Sequence, residues 1–218
     1  MKVLFNKCAD AIDCANTTKT FGCFYSAKHD ANQDIHLHEC CEILFCLSGG
    51  KSFFIDDKIY DVNSNDVFVI NPFEAHKITS EESAEFKRFV LHIHPSFLYT
   101  NSTDESNLAH CFDYRTQNTS NRLALNEDES SALTDLFEKL NQNYEFGDDI
   151  IKSAAVLEIL AAVNKYFIEK NAEHRYSEKS KNQTLIAALK YINNNLSQEL
   201  TIDKIAESCF VSTVTLTS

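Results

Sequence analysis

Residues 36–50, HLHECCEILFCLSGG, set two histidines two apart, a glutamate four residues further on and a Gly-Gly around one apolar run. A strand sends successive side chains to opposite faces. His36, His38, Cys40, Glu42, Leu44 and Cys46 therefore share one face, and Leu37, Glu39, Cys41, Ile43, Phe45 and Leu47 share the other. The polar groups converge on the first. Neutral imidazoles and a carboxylate suit a first-row divalent metal, for which His76 in NPFEAH is the candidate fourth ligand. The same groups suit a hydrogen-bonding pocket for an organic ligand.

On either side, from Phe21 to His94, lie more short runs rich in Phe, Ile, Val and Tyr: FGCFYSA, KSFFID, KIYDV, DVFVIN and FKRFVLHI. They are punctuated by Gly49-Gly50, Asp56-Asp57, Asn63 to Asn65 and Pro72, as expected of closely spaced strands in a barrel or sandwich. His92 and His94 form a second His-x-His, which is read as strand-end or surface histidines because Pro95 follows at once.

After Pro95 the texture turns helical. Asn126 with Glu129 makes a capping box, and Leu133, Leu136, Phe137, Leu140 and Tyr144 recur at helical spacing. Gly147 breaks that helix, and a second runs from about Ile150 to Lys170 with Ile151, Ala154, Ala155, Leu157, Leu160 and Phe167. The two are expected to form an antiparallel hairpin. Residues 171–183, charged and poor in apolar side chains, read as a linker. Leu185, Leu189, Ile192 and Leu196 then fall on one face of a third helix.

The C-terminal LTIDKIAESCFVSTVTL, residues 200–216, has the pattern of a helix-turn-helix: Thr201 caps a helix bearing Ile202, Ile205 and the small Ala206, a turn follows at Cys209 to Val211, and Ser212 caps the next helix. Residues 181–218 carry three lysines and three acidic residues, a formally neutral and poor phosphate-binding surface. The 218 residues, 44% of them hydrophobic, can fill a core, and a formal net charge of −12 argues against unaided nucleic-acid binding. The N-terminus lacks a signal-peptide core and no segment reads as a membrane span, so the protein is expected in the cytoplasm, with its eight cysteines reduced and no CxxC pair for structural zinc.

Residues 36–49 resemble the first motif of the cupin superfamily, and DVFVINPFEAH, residues 66–76, resembles the second, with Glu74 where a glycine is usual. A cupin-like barrel, a helical hairpin, a linker and a helix-turn-helix, in that order, resemble the AraC family of transcription regulators. RFVLHIHPSFL at 88–98 is similar to that family's barrel exit, and residues 185–216 to the opening of its DNA-binding domain. The resemblance implies an α+β chain: a mainly β, cupin-like barrel (double-stranded β-helix) over 1–125, a dimerising hairpin over 126–170, a linker over 171–183, and a truncated helix-turn-helix domain over 184–218.

It further implies a small effector bound by His36, His38, Glu42 and His76 with Phe68 or Phe73 as an apolar wall. A homodimer would form through Leu133, Leu136, Leu140, Leu157 and Leu160, and Ser212, Thr213 and Thr215 would contact DNA. The expectation is a sensor, not an enzyme, with no cofactor or metal. A metal, if present, would take His36, His38, Glu42 and His76, which are the cupin ligand places, and the alternative function is a metal-dependent cupin dioxygenase or isomerase.

Overall fold

Alternation of apolar side chains produces two sheets that share an interior. The computed structural model describes residues 4–27, 34–49, 51–80, 85–113, 119–171, 188, 191–192, 195, 200–209 and 211–214. Among the described residues nine strands form: β1 (Leu4–Phe5), β2 (Phe21–Ser26), β3 (Cys41–Cys46), β4 (Lys51–Ile55), β5 (Lys58–Val62), β6 (Asp66–Ile70), β7 (His76–Ser80), β8 (Arg88–Ile93) and β9 (Arg122–Ala124). One sheet has the order β1-β2-β8-β3-β6-β9 and the other β5-β4-β7. All six runs read as strands are strands; β1, β7 and β9 are additions.

The period-two pattern decides which core each residue joins. On the six-stranded sheet, Phe24, Leu44, Cys46, Phe68, Ile70 and Val90 point toward the three-stranded sheet and meet its Phe53, Ile55 and Ile78. Their neighbours Cys23, Ile43, Phe45, Val67, Val69, Phe89 and Leu91 point outward into a second core, built with the helices. The six-stranded sheet is therefore apolar on both faces, which is why its strands read as continuous apolar runs.

Helix α1 (Cys8–Thr18), unforeseen in the sequence reading, lies on the interior face of β2 and β8, where the shorter sheet leaves it uncovered. Its Ala11 backbone comes so close to Gly22 in β2 that a Cβ there would stand 2.2 Å from the Ala11 carbonyl oxygen. Gly22→Ala is expected to push α1 off the sheet and cost about 1–3 kcal/mol by overpacking, read by thermal denaturation; an unchanged Tm would mean that α1 is not seated there.

Helices α2 (Pro95–Asn101) and α3 (His110–Asp113) follow β8, and α4 (Glu127–Asn141) and α5 (Asp148–Lys170) form the helical pair. The expected capping box closes α4, with Asn126 Oδ1 accepting from the Glu129 amide and Glu129 Oε2 from the Asn126 amide, each at 2.9 Å. Gly147, at φ 72°, supplies the left-handed residue that opens α5. Buried Asn164 fastens α5 to the α3 region: its Oδ1 accepts from the Cys111 amide at 2.7 Å and its Nδ2 donates to Leu108 and Leu160 carbonyls, each at 2.8 Å.

The stripe of these helices corrects the assignment of a dimer surface. Leu133, Leu140 and Leu160 are each no more than 1% exposed and belong to the outward core, so they are already covered by the chain's own strands and helices. Only Leu136 and Leu157 of the five are partly exposed. The linker at 171–183 and most of the third helix lie outside the described residues, apart from Asn171 and the helical Ala188, Tyr191 and Ile192. Helix α6 (Ile202–Ser208) is capped by Thr201, whose Oγ1 accepts from the Lys204 amide at 3.3 Å, and its Ala206 is 2% exposed. The Val211 amide turns back to the Ala206 carbonyl at 3.0 Å, and Thr213 and Val214 are again helical. Among the described residues, no helix is long and apolar enough to cross a membrane. All eight cysteines are free thiols.

Candidate functional site

Glu42 is the second residue of β3 and points into the space between the sheets; it is 4% exposed. In register it sits opposite His92 of β8 on one side and Ile70 of β6 on the other. Its Oε2 collects three rings: His38 Nε2 at 2.9 Å, His92 Nδ1 at 3.5 Å and His76 Nε2 at 3.6 Å. His38 comes from the irregular stretch just before the bend at Glu39 and Cys40, His92 from the middle of the six-stranded sheet and His76 from the first residue of β7 in the other sheet. The cluster thus ties both sheets together at one end of the barrel.

The outer nitrogens are anchored. Nδ1 of His36, His38 and His76 each lies against a main-chain carbonyl, of Asp34 at 3.0 Å, Cys40 at 3.0 Å and Glu74 at 2.8 Å. A carbonyl oxygen only accepts, so these nitrogens carry the ring protons and the rings cannot swivel freely. His36 and His76 are further joined as an isolated antiparallel bridge, with paired main-chain bonds of 3.1 and 3.0 Å. Glu74, the residue where a glycine is usual, holds this turn: its Oε2 accepts from the Asn71 amide at 2.8 Å and its Oε1 from Asn121 at 3.2 Å.

Burial and charge oppose one another here. Burial pushes the Glu42 carboxyl up, but His38 and His76 beside it outweigh that and hold it well below the usual carboxylate range. Burial pulls His76 down, and the Glu42 carboxylate more than offsets it, leaving a net rise. His92 is fully enclosed, and burial lowers it to about 4, so it is a neutral ring. Its Nε2 faces the Cys8 thiol of α1 at 3.2 Å, and burial pushes that thiol up to about 12.

Of the residues expected in the pocket, His38, Glu42 and His76 meet as read, and His36 lies half-buried at the edge, its ring 4.3 Å from that of His76. Phe68 is fully buried but one layer back, edge-on to Phe53 at 5.0 Å; Phe53 is the wall, 6.1 Å from His76. Phe73 is not in the pocket. It is 62% exposed at the tip of the turn, at φ 61°, so its side chain projects to the surface.

His92 corrects the opposite error. It is 0% exposed, two residues before the strand would have to end for Pro95, and it alternates inward with Arg88 and Val90. His94 does end the strand, its Nδ1 accepting from the Ser96 amide at 3.2 Å to cap α2. Arg88, 2% exposed, stands further along the interior with its guanidinium over the rings of Phe86 at 4.8 Å and Phe24 at 5.8 Å. Of the residues assigned to DNA contact, Ser212 is exposed, Thr213 half-buried, and Thr215 lies outside the described residues.

The cavity beside Glu42, bounded by His36, His76, Cys8, Phe53 and Arg88, has a free volume of about 20 Å³. By the measure in which one water needs roughly 10–15 Å³, that is space for a water-sized occupant. Two ring nitrogens beside Glu42, His76 Nε2 and His92 Nδ1, are buried without a hydrogen-bond partner. His38, Glu42 and His92 present ligand atoms within 4.8 Å of one another, so the donor set fits a metal ion.

A family model described as AraC-like ligand binding domain matches residues 21–160. Among solved structures, the chain is similar to the AraC-like transcriptional activator CuxR, at 15% identity and a TM-score of 0.44, over 82% of this chain and 59% of that one. It is also similar to a cupin protein from Bacteroides fragilis (18% identity, TM-score 0.30, 34% of this chain and 64% of that one) and to an oxalate decarboxylase (20%, 0.31, 36% and 22%). The chain therefore spans less than two thirds of the length of each. No curated protein matches it.

Proposed function

Because the chain belongs to the AraC-like ligand-binding domain family, we propose that it is the sensing part of a bacterial AraC-type transcription regulator, with its effector bound at the Glu42 centre. The observation that carries this reading is the enclosed ring of His38, His76 and His92 around one carboxylate, with two ring nitrogens left without partners. Burying such groups without partners costs roughly 1–3 kcal/mol each, and an effector that supplies the partners recovers it.

The position suits signalling. An occupant links β3 and β8 of one sheet to β7 of the other, and through His92 and Cys8 it touches α1. The opposite face of β3 and β8 carries the core shared with α4 and α5. The effector would favour one arrangement of barrel, α1 and hairpin over another, and DNA affinity would follow that difference. In this reading DNA is contacted by the helix-turn-helix that begins at α6, two copies assemble through the hairpin, and the protein works in the cytoplasm. The acidic barrel itself needs no DNA contact.

The metal-compatible donor set favours one other reading, a metal-dependent cupin enzyme. There His38, Glu42, His76 and His92 would hold the ion, which would supply Lewis acidity toward a substrate. The match to an AraC-like ligand binding domain over residues 21–160 weighs for the sensor. The test is a thermal-shift panel of small organic acids, sugars and divalent ions on the wild type and on Glu42→Gln. A compound that raises the wild-type Tm and leaves the variant unmoved supports the assignment. One that stabilises both equally puts the effector site elsewhere, and turnover of a substrate would sink the sensor reading.

A further inference from the structure

Alternation also decides what the three-stranded sheet shows to solvent. Phe53, Ile55, Val62 and Ile78 face the six-stranded sheet, so Phe54, Ile59 and Lys77 face outward. Register sets these three side by side, Ile59 of β5 opposite Phe54 of β4 and Phe54 opposite Lys77 of β7. The antiparallel bridge between His36 and His76 carries the row one segment further, to Ile35 beside Lys77. Leu37 shares that outward side. Phe73, whose amide donates to the His38 carbonyl at 2.8 Å, stands at the end of the row, holding φ 61°, a backbone region that bulky residues rarely adopt. Ile35, Leu37, Ile59 and Phe73 are each more than half exposed, and they are four of the eight large apolar side chains exposed among the described residues. Such a concentration is a patch, not a scatter of single residues. On the other side of the barrel the outward apolar residues of the six-stranded sheet are buried against α4 and α5; here the row meets solvent.

The charges around the row select its partner. Among the described residues of these segments, the exposed charged side chains are Asp34, Glu39, Asp56, Asp57 and Asp61, all acidic, while Lys58 and Lys77 are half-buried. A second copy would bring the same carboxylates to the interface, between chains that each carry a formal net charge of −12. An anionic bilayer is repelled in the same way. We infer that the outer face of the three-stranded sheet is a docking surface for a basic amphipathic helix of another protein. The apolar residues of that helix, at i, i+3, i+4 and i+7, seat on Ile59, Phe54 and Ile35, and the lysines or arginines on its flanks meet the acidic rim. It repeats on this sheet what α4 does on the other. The surface is separate from the Glu42 centre, but it lies on the back of the same backbone: His36 and His76 turn inward from the segments whose Ile35 and Lys77 turn outward.

The probe is a synthetic amphipathic helix of leucine and lysine, titrated into the purified chain beside two controls: a scrambled peptide of the same composition with no apolar face, and a version with glutamate in place of lysine. Fluorescence anisotropy should show saturable binding of the first that weakens as salt rises, binding of the scrambled peptide at least about tenfold weaker, and none of the glutamate version. Ile35→Ser and Ile59→Ser, both at exposed positions where folding should be unchanged by circular dichroism, should each weaken binding about tenfold, the loss expected for one apolar side chain seated in an interface. In the wild type, methyl NMR should show the peptide shifting Ile35 and Ile59 and leaving the enclosed Ile43 and Ile70 unmoved. Equal binding of the scrambled peptide, full affinity in both serine variants, or shifts on another face overturn the surface. Self-association of the wild type that Ile59→Ser abolishes overturns the helix in favour of a second copy. Binding to phosphatidylglycerol vesicles that the same variant loses overturns it in favour of a lipid surface.

Discussion

Phe137→Ala is expected to lower the stability of the protein by about 3–5 kcal/mol. Phe137, on α4, is 0% exposed and lies between two residues of the sheet, its ring 4.9 Å from Phe89 at an interplanar angle of 20° and 5.7 Å from Phe45 at 26°. Phe45 and Phe89 are cross-strand partners of β3 and β8, so this one helical side chain seals the outer face of the two strands that carry Glu42 and His92, three residue pairs along from them. Truncation removes the stacking and leaves a cavity in a layer that both strands and helices line, which the surroundings can fill only in part. Urea unfolding should show a lower midpoint with the slope unchanged. A loss below about 1 kcal/mol would mean that α4 does not dock on the sheet in this way.

Stretches with a continuous apolar run or a wholly local motif were readable, and stretches that lack both were not. The alternation in EILFCLS put Leu44 and Cys46 on one face and Ile43 and Phe45 on the other, as found. Strand β7, HKITS, carries a polar-apolar mixture with no run, and it pairs only because β4 lies beside it. Helix α1 escaped for a similar reason: its buried residues are just Ala11 and Ala15, small enough to approach Gly22, and two alanines make no apolar stripe. The capping box at Asn126 was legible because it is wholly local.

The site divides in the same way. Glu42, His38 and His76 come together from a motif that keeps its spacing, although His38 reaches the centre from the irregular stretch before β3 instead of from the strand. His92 was placed at a strand end because Pro95 is near, when the alternation from Arg88 through Val90 already pointed it inward. What no local pattern contains is the register that sets His92 between Gly22 and Glu42, since that depends on pairing across more than forty residues of chain. Phe73 was misread because its left-handed backbone, not its hydrophobicity, decides where it points.

The hairpin leucines separate core from surface, and the largest effect is expected there. Leu133→Glu should abolish cooperative folding, a loss of at least about 4 kcal/mol, because a carboxylate at a position 0% exposed within the outward hydrophobic core has no partner and no water. Leu136 and Leu157 are only partly buried, so Leu136→Glu combined with Leu157→Glu should leave a folded chain. If two copies assemble through the exposed side of α4 and α5, that double variant should sediment as monomer while the wild type sediments as dimer. Circular dichroism and sedimentation velocity on the three proteins decide between the roles. A folded, monomeric Leu133→Glu protein would return Leu133 to an intersubunit surface and contradict its place in the core. An unfolded Leu133→Glu beside a folded double variant would confirm that the apolar stripe of α4 is spent on the chain's own core, and that any contact between copies must use what the stripe leaves exposed.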